Sequence, residues 1–222
     1  MLTRTIAVLE QCQIFDEIVV STDSEDFANV AKICGATVPD LRPINLSADS
    51  TPTVDVIAHM TKMLNLSLND NVCCVYAPNP FLLKSAICLA LTVLDEKPIP
   101  SYVTTVTTFP FPIQRSLRID GTSLLQMVSP ENILVHSQDL EPRYHETAQF
   151  WWAKAITWLE KKPMQSDLKG ILIPRWITQD IDTEEDWMQA EIRFRILQEM
   201  GNLEEMVSLD RSNVLNEWSR AE

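Results

Sequence analysis

Glycine is scarce in this sequence. The 222 residues include four glycines, Gly35, Gly121, Gly170 and Gly201. No two of them lie close together, which excludes a glycine-rich phosphate-binding loop built from these residues. A nucleotide phosphate would therefore have to be bound by other means.

Basic residues are the second shortage. Eighteen lysines and arginines stand against 31 aspartates and glutamates, and the formal net charge is −13. This balance argues against a surface that binds nucleic acid. A polyanionic ligand such as a nucleotide would need a divalent cation or a local basic patch to bind here.

Long hydrophobic runs and paired cysteines are missing as well. No apolar run approaches the roughly 18 residues of a membrane span, and the first residues lack the pattern of a secretory signal. The five cysteines are odd in number and lie in largely apolar contexts: Cys12, Cys34, Cys73, Cys74 and Cys88. We therefore expect reduced core cysteines in a cytoplasmic protein, with no disulfide framework, zinc site or membrane association.

The pattern that is present is an alternation of helices with short apolar strands. Helical spacing predicts helices over residues 1–12, 26–34, 53–64, 84–94 and 183–200, and a further helix that follows the aromatic run 149–152 and ends near residue 159. Apolar and β-branched runs predict strands at 18–20, 37–38, 72–76, 102–107, 171–173 and 177–181. Because buried strands alternate with helices, we expect an α/β fold with a parallel sheet.

Two parts of the chain depart from this alternation. Residues 110–148 contain several prolines and an edge-strand pattern at 113–119, and we interpret them as an inserted β-rich subdomain. Residues 201–222 are interpreted as an acidic tail with weak periodicity. One domain over residues 1–200, carrying the insertion, fits the length and the hydrophobic content.

Asp180 and Asp182 are the clearest candidates for chemistry. At strand spacing, residues i and i+2 point the same way, so these carboxylates can converge on one hard cation. Thr183 is placed to cap the helix that follows, with acidic residues in its first turn. The alternative is a solvated surface turn whose acids only cap the helix. Spacing alone leaves both interpretations open.

Two shorter polar clusters are candidates for contact with a nucleotide. Ser21, Thr22 and Asp23 end a predicted strand, and ligands of open α/β sheets collect at the carboxyl ends of strands. Arg42 places a guanidinium in a loop, where it can contact a nucleotide. The alternatives are an ordinary helix cap and a solvated arginine.

A third cluster, residues 143–152, combines polar donors with aromatic rings. Such a cluster can bind a polyhydroxylated acid, with Arg143 on the carboxylate and His145 and Gln149 on hydroxyl groups. Its alternative is a core aromatic run that follows an exposed loop. The sequence contains no nucleophile elbow and no paired metal-binding cysteines.

Taken in chain order, these segments resemble the acylneuraminate cytidylyltransferase family, in particular its branch that makes CMP-pseudaminic acid. The resemblance spans residues 1–200, and each piece is weak alone while the ordered combination is specific. Its main segments are F-D-E-I-V-V-S-T-D at 15–23, L-R-P at 41–43, C-C-V-Y-A at 73–77, F-P-F-P-I-Q-R at 109–115, Q-F-W-W at 149–152 and D-I-D-T at 180–183.

The resemblance implies a Rossmann-like, glycosyltransferase-A-like nucleotidyltransferase, with a three-layer domain over 1–200 and a dimerisation and sugar-site insertion at 110–148. In the implied reaction, the anomeric hydroxyl of a nine-carbon keto-sugar acid attacks the α-phosphorus of CTP and pyrophosphate leaves. Mg²⁺ stabilises the developing charge. The implied assembly is a homodimer.

Position in the family also implies the roles of individual residues. Mg²⁺ would be held by the implied catalytic pair, Asp180 and Asp182. The nucleotide would contact Ser21, Asp23, Arg42 and Tyr76. The sugar acid would contact Arg115, Tyr144, His145, Gln149 and Phe150.

The sequence departs from the family in two places. Members begin with a strand and a glycine-rich basic loop that holds the CTP phosphates, whereas Met1 here corresponds to the helix after that loop. We therefore expect a central strand to be missing between the strands at Ile18 and Val72. In the implied sugar site, Glu146 replaces the usual aspartate, and Thr147 and Ala148 replace the usual Ala-Gly.

These departures leave three interpretations. The first is an enzyme of this family. The second is a non-catalytic remnant, or a partner subunit that pairs through the insertion. The third is an unrelated acidic α/β binding protein.

Overall fold

A mixed four-stranded sheet forms the centre of the computed structural model, which describes residues 1–215. The strands in chain order are β1 (Asn71–Val75), β2 (Tyr102–Thr108), β3 (Leu117–Ile119), β4 (Leu125–Met127), β5 (Tyr144–Lys154) and β6 (Leu168–Leu172). The central sheet has the order β1-β5-β2-β6, and β3 pairs with β4 separately.

Six helices lie where helices are predicted: α1 (Leu2–Cys12), α2 (Glu25–Ile33), α3 (Thr53–Met63), α4 (Lys84–Leu94), α5 (Ala155–Leu159) and α6 (Glu184–Met200). A short helix that was not predicted, α7 (Leu203–Met206), follows them. Ser24 caps α2 and Thr183 caps α6 through their side chains, as the capping preferences of these residues lead one to expect. No helix within residues 1–215 is both long and apolar enough to cross a bilayer.

The expectation of a fully parallel sheet is wrong at β5. This strand lies antiparallel to β1 on one side and to β2 on the other, while β2 and β6 are parallel. The sequence predicts only a short aromatic run before a helix here. The strand is instead 11 residues long, and α5 begins after it. A continuous apolar run does not distinguish a buried strand from a buried helix, because both of its faces are covered.

Four other predicted strands are shorter than expected or absent. Residues 18–20 and 37–38 form one parallel bridge, between Val19 and Thr37. Residues 177–181 are not a strand, because Pro174 leads into the 3₁₀ turn Arg175–Ile177. The predicted edge strand at 113–119 is a 3₁₀ turn followed by β3.

Helices cover both faces of the central sheet. On one face, α1, α4 and α6 pack on Phe150 and Trp152 of β5. On the other face, α3 and α5 pack around Tyr102 and Trp151. Neighbouring side chains of β5 point to opposite faces, so this one strand contributes to both cores.

The inserted segment protrudes from this three-layer domain as the β3–β4 hairpin and its flanking turns. Both hairpin strands are largely exposed. Its last predicted residues, 144–148, belong to β5 and therefore to the central sheet.

The interpretation of residues beyond Gly201 as an acidic tail is wrong up to Leu215. Glu204 accepts hydrogen bonds from the backbone N–H groups of Lys84 and Ser85 at the start of α4. Val207 and Val214 are buried in the main core, and the Leu215 N–H donates to the Gly170 carbonyl at 2.9 Å. The weak periodicity of this segment did not predict that it packs on the core, because only a few of its side chains make contact and they do not form one regular face. Residues 216–222 of the predicted tail lie outside the described residues.

We expect Val214→Ala to lower the free energy of unfolding by about 1–3 kcal/mol, because it removes two methyl groups from the core. Val128→Ala is the matched control, since Val128 is 53% exposed in the insertion. Urea denaturation measures both variants. Equal stability of the two variants would restore the tail interpretation.

Candidate active site

Asp180 and Asp182 line a cavity of about 420 Å³ at the edge of the central sheet. Tyr76, which follows β1, and Glu146, near the start of β5, line the same cavity. We call this cavity the acid pocket. Glu146 and Tyr76, which are 34 and 104 residues away from Asp180 in the sequence, thus lie close to it in the fold. Three of these four side chains are carboxylates.

The turn that carries the aspartates is held by the start of α6. The Thr183 hydroxyl accepts a hydrogen bond from the Asp186 N–H at 3.2 Å, and Asp186 Oδ2 accepts one from the Thr183 N–H at 3.0 Å. The Asp182 N–H also donates to Asp186 Oδ2, at 3.3 Å. Gln179 Nε2 donates to Asp186 Oδ1 at 3.1 Å. The capping function of this segment is therefore real, and it fixes the backbone on which Asp180 and Asp182 lie.

Electrostatics favour a cation in the acid pocket. Partial burial raises the pKa of Asp180, and the nearby charge of Asp182 raises it further, with a smaller contribution from Glu146. The folded protein therefore holds negative charges that repel one another. Mg²⁺ commonly binds one or two carboxylates and completes its shell with water and substrate phosphates. Asp180 and Asp182 fit this kind of site, although residues 1–215 contain no group of three side chains arranged as a complete metal site.

A second, larger cavity separates β1 from residues 17–21. Its volume is about 800 Å³, and α1 and α3 border it. We call it the strand cleft. Within residues 1–215, β1 pairs only with β5, which leaves its other edge facing this cleft.

Backbone directions identify the groups that point into the strand cleft. The Tyr76 N–H donates to the Gln149 carbonyl and the Ala155 N–H donates to the Asp70 carbonyl, so even-numbered residues of this strand face β5. Cys73 and Val75 therefore direct their N–H and C=O groups towards the cleft.

Val19 faces the strand cleft from the opposite side. The Val20 N–H donates to the Thr37 carbonyl and the Thr37 N–H donates to the Ile18 carbonyl, so the groups of Val19 point away from Thr37. The cleft thus has strand-like backbone on both sides.

The residues predicted to contact a nucleotide gather at one end of the strand cleft. Ser21, Arg42 and Tyr76 line it. The Ser21 hydroxyl is buried with no hydrogen-bond partner in the described structure. Arg42 lies 3.6 Å from Asp23, which orients the guanidinium. Thr53 makes a 3.1 Å hydroxyl contact with Tyr76. Tyr76 lines both cavities, so this end of the cleft adjoins the acid pocket.

The residues predicted to contact a sugar acid are less concentrated. Phe150 is fully buried in the main core. Gln149 is buried too, with Nε2 donating to the Ile177 carbonyl at 3.1 Å and Oε1 unpartnered among the described residues. Tyr144 and His145 are exposed at the start of β5, and the His145 ring contacts that of Phe109.

Arg115 lies in the insertion, where its guanidinium donates to the Val135 carbonyl. Neither it nor the two residues at the start of β5 line the acid pocket. The implied sugar-contacting set is therefore spread over the surface, the core and the insertion.

Sequence reasoning did not relate Glu146, Trp151 or Thr53 to the aspartate pair. Glu146 and Trp151 line the acid pocket, and Thr53 contacts the Tyr76 hydroxyl. The sequence placed Glu146 in the implied sugar site and Trp151 in the cluster at 143–152, but no local spacing connects either of them with Asp180.

Comparison with known proteins identifies the family. A family model described as Cytidylyltransferase matches residues 1–210. The chain belongs to this cytidylyltransferase family. Its α/β fold is therefore that of a cytidylyltransferase.

Two curated relatives match most of this chain, and this chain covers most of each of them. A pseudaminic acid cytidylyltransferase of Campylobacter jejuni is 31% identical over 189 residues, which is 82% of this chain and 80% of the relative. A CMP-N,N'-diacetyllegionaminic acid synthase of Legionella pneumophila is 30% identical over 209 residues, covering 90% and 87%.

A solved structure supports the fold. CMP:2-keto-3-deoxy-manno-octonic acid synthetase complexed with CTP matches 88% of each chain with a TM-score of 0.58 and 11% identity. This likeness confirms the predicted nucleotidyltransferase fold class.

We expect Asp180→Asn to raise the melting temperature in metal-free buffer at neutral pH. Because the pKa of Asp180 is raised in the folded protein, the fold is more stable when this carboxyl is protonated, and that stability is lost as the pH rises through the raised pKa. At neutral pH the ionised carboxylate is therefore unfavourable, and asparagine removes its charge. Mg²⁺ should raise the melting temperature of the unaltered protein and not that of the variant. Differential scanning fluorimetry with and without Mg²⁺ measures both effects.

Asp186→Asn is the matched control for this experiment. Hydrogen bonds from Thr183 lower the pKa of Asp186, so its contribution is present at neutral pH and lost as the pH falls through that pKa. This variant should melt below the unaltered protein. Equal stabilisation of Asp180→Asn and the unaltered protein by Mg²⁺ would refute the metal assignment.

Proposed function

We propose that this protein, when a further strand and phosphate-binding loop ahead of α1 complete its site, transfers CMP from CTP to a nonulosonic acid of the pseudaminic or legionaminic type and releases pyrophosphate. Membership of the cytidylyltransferase family supports the reaction class, and the activities of the two relatives from Campylobacter jejuni and Legionella pneumophila support the acceptor class. The observation that carries the proposal is the position of Tyr76, which lines both the strand cleft and the acid pocket. A nucleotide and an acceptor could meet there beside the aspartate pair.

In this proposal, the anomeric hydroxyl oxygen of the sugar acid forms a bond to the α-phosphorus while the bond to the pyrophosphate oxygen breaks. Asp180 and Asp182 would hold Mg²⁺, which when bound supplies positive charge to the phosphate oxygens. Arg42 and the unpartnered Ser21 hydroxyl would bind the nucleotide. A cytoplasmic location fits the five free cysteines of the described chain.

We also propose that an additional strand completes the sheet in the strand cleft. The Thr5 hydroxyl donates to the Ala77 carbonyl at 2.8 Å and Arg4 Nε donates to the Pro80 carbonyl at 3.0 Å, so α1 begins beside the carboxyl end of β1. A strand parallel to β1 could therefore end in a loop that leads into α1. Such a loop would lie next to Ser21 and Arg42 and could supply phosphate-binding N–H groups.

We expect the 222-residue chain to show no measurable CTP turnover. Arg42 is the one basic side chain that lines the strand cleft among the described residues, and loss of a single transition-state donor can lower a rate by about 10²–10³-fold. Pyrophosphate release with CTP, Mg²⁺ and pseudaminic acid measures turnover. A version with a strand and a glycine-containing basic loop ahead of α1 should be active.

Asp182→Asn in that longer version should lower turnover and weaken its Mg²⁺ dependence. Met188→Gln, an exposed change on α6, is the control that should leave turnover unchanged. Robust turnover by the 222-residue chain would show that the added loop is unnecessary.

The added strand should also slow amide exchange at specific positions. We expect slower exchange at Val19, Cys73 and Val75, whose N–H groups face the strand cleft, and a higher melting temperature. Cys74 is the internal control, because its N–H already faces β5. Hydrogen exchange followed by NMR compares the two versions. Equal exchange at Val19 and Cys73 in both versions would show that no strand enters the cleft.

We further propose that the insertion pairs two copies of the chain. An isolated two-stranded hairpin is marginally stable in water, and this one exposes large apolar side chains that a second copy could cover. They include Phe111, Leu117, Ile119, Leu124, Leu125, Ile133 and Leu134.

We expect Ile119→Asp to convert a dimer into a monomer, because it places a charge in that apolar contact. Ile33→Asp is the matched control, since Ile33 is 85% exposed on α2, outside the insertion. Sedimentation velocity at micromolar concentration measures the assembly. A monomer before any substitution would contradict the proposed pairing.

A further inference from the structure

The β2–β5 ladder contains an irregularity beside the acid pocket. Between Thr104 and Val106 of β2, the partner residues on β5 move from Trp151 to Glu146. Two steps along one strand thus oppose five along the other, and the extra residues leave the ladder as a bulge. Bulges are common next to functional sites, where they redirect side chains.

Ala148 occupies the turn of this bulge in an unusual conformation. Its φ is +50°, in the left-handed region that residues with a side chain seldom adopt. The turn therefore needs support from its surroundings. Thr147 supplies part of it, because its hydroxyl contacts that of Thr105 at 2.6 Å in the buried sheet.

Glu146 supplies the support on the pocket side. Its Oε2 atom accepts a hydrogen bond from the Ala148 N–H at 2.6 Å. A carboxylate acceptor makes this a strong bond, because its charge shortens and strengthens the contact. The carbonyl of the same residue contacts His145 Nδ1 at 2.8 Å. The backbone of Glu146 is thus held by His145, and its side chain is hydrogen-bonded to the turn at Ala148.

The bulge determines what the acid pocket presents to a ligand. Glu146 and Ala148 both line the pocket with Asp180. Gln149, the next residue, is 2% exposed, with its Nε2 on the Ile177 carbonyl and its Oε1 free of any partner in the described chain. A change in the Ala148 turn would move these groups together.

We propose that Glu146 is a positioning residue for the acceptor: its carboxylate holds the left-handed turn at Ala148 and so shapes the acid-pocket wall that contacts the sugar acid. The inference rests on the proposed function for the identity of that ligand. A role as a third metal ligand is less well supported, since the described residues contain no three-ligand group and the carboxylate already binds a backbone N–H.

Three variants separate the hydrogen bond from the charge. Glu146→Gln keeps an oxygen acceptor for the Ala148 N–H and removes the charge, whereas Glu146→Ala removes both. Ala148→Gly makes the left-handed turn accessible without support, because glycine adopts positive φ freely. Combined with Glu146→Ala, it should restore the pocket if the turn is what Glu146 controls.

Calorimetric titration of the 222-residue chain with pseudaminic acid and Mg²⁺ provides the first measurement. We expect Glu146→Ala to weaken binding about tenfold, the loss that corresponds to one charged hydrogen bond. Glu146→Gln should bind within about threefold of the unaltered chain. The double variant Glu146→Ala, Ala148→Gly should recover most of the affinity. N,N'-diacetyllegionaminic acid, titrated in parallel, tests the same wall with a second acceptor.

Two results would overturn the inference. Equal losses in Glu146→Gln and Glu146→Ala would show that charge is the important property. The second result is that Ala148→Gly does not recover binding in the Glu146→Ala background, while the near-ultraviolet circular dichroism shows a native fold. This would show that Glu146 does not act on binding through the Ala148 turn.

A chain that binds neither sugar acid would contradict the proposed function and still leave the positioning role testable. In that case amide exchange at Ala148 decides, since it should be faster in Glu146→Ala and nearly unchanged in Glu146→Gln. Unchanged exchange in Glu146→Ala would overturn the inference independently of any ligand.

Discussion

The backbone pairing of β5 on both of its edges is the interaction on which this structure depends. β5 connects β1 to the β2–β6 pair, so its ladders join the two parts of the central sheet. Its side chains also enter both cores, with Trp152 on one face and Trp151 on the other. A strand buried in this way must keep its hydrogen bonds. Its ladder with β2 is paired on both sides of a single irregularity, which lies beside the acid pocket.

Local signals in the sequence were enough to predict most of the helices. α4 and α6 have regular spacing, and the Thr183 cap depends on residues three apart. Such interactions are contained within one or two turns of chain, so they can be recognised without the fold. Asp180 and Asp182 line one pocket, but they do so from a turn and not from the strand on which their prediction rested.

Nonlocal packing decided the features that the sequence did not predict. The aromatic run at 149–152 could belong to a strand or to a helix, and only its position between β1 and β2 makes it a strand. Glu146 meets Asp180 because a strand and a turn bring them together. Phe150, implied as a sugar contact, is instead covered by α4 and its neighbours. Burial of this kind follows from tertiary contacts that no spacing rule contains.

Tyr76 has a consequence for thermodynamics as well as for geometry. Its side chain borders two cavities, and its hydroxyl is held by Thr53. Any ligand in one cavity that shifts this ring changes the free energy of binding in the other. Linkage requires the effect to be reciprocal: the factor by which a nucleotide alters the affinity for an acceptor equals the factor by which the acceptor alters the affinity for the nucleotide. A ligand that shifts Tyr76 would thus couple the two binding equilibria, and each dissociation constant would then depend on the occupancy of the other cavity.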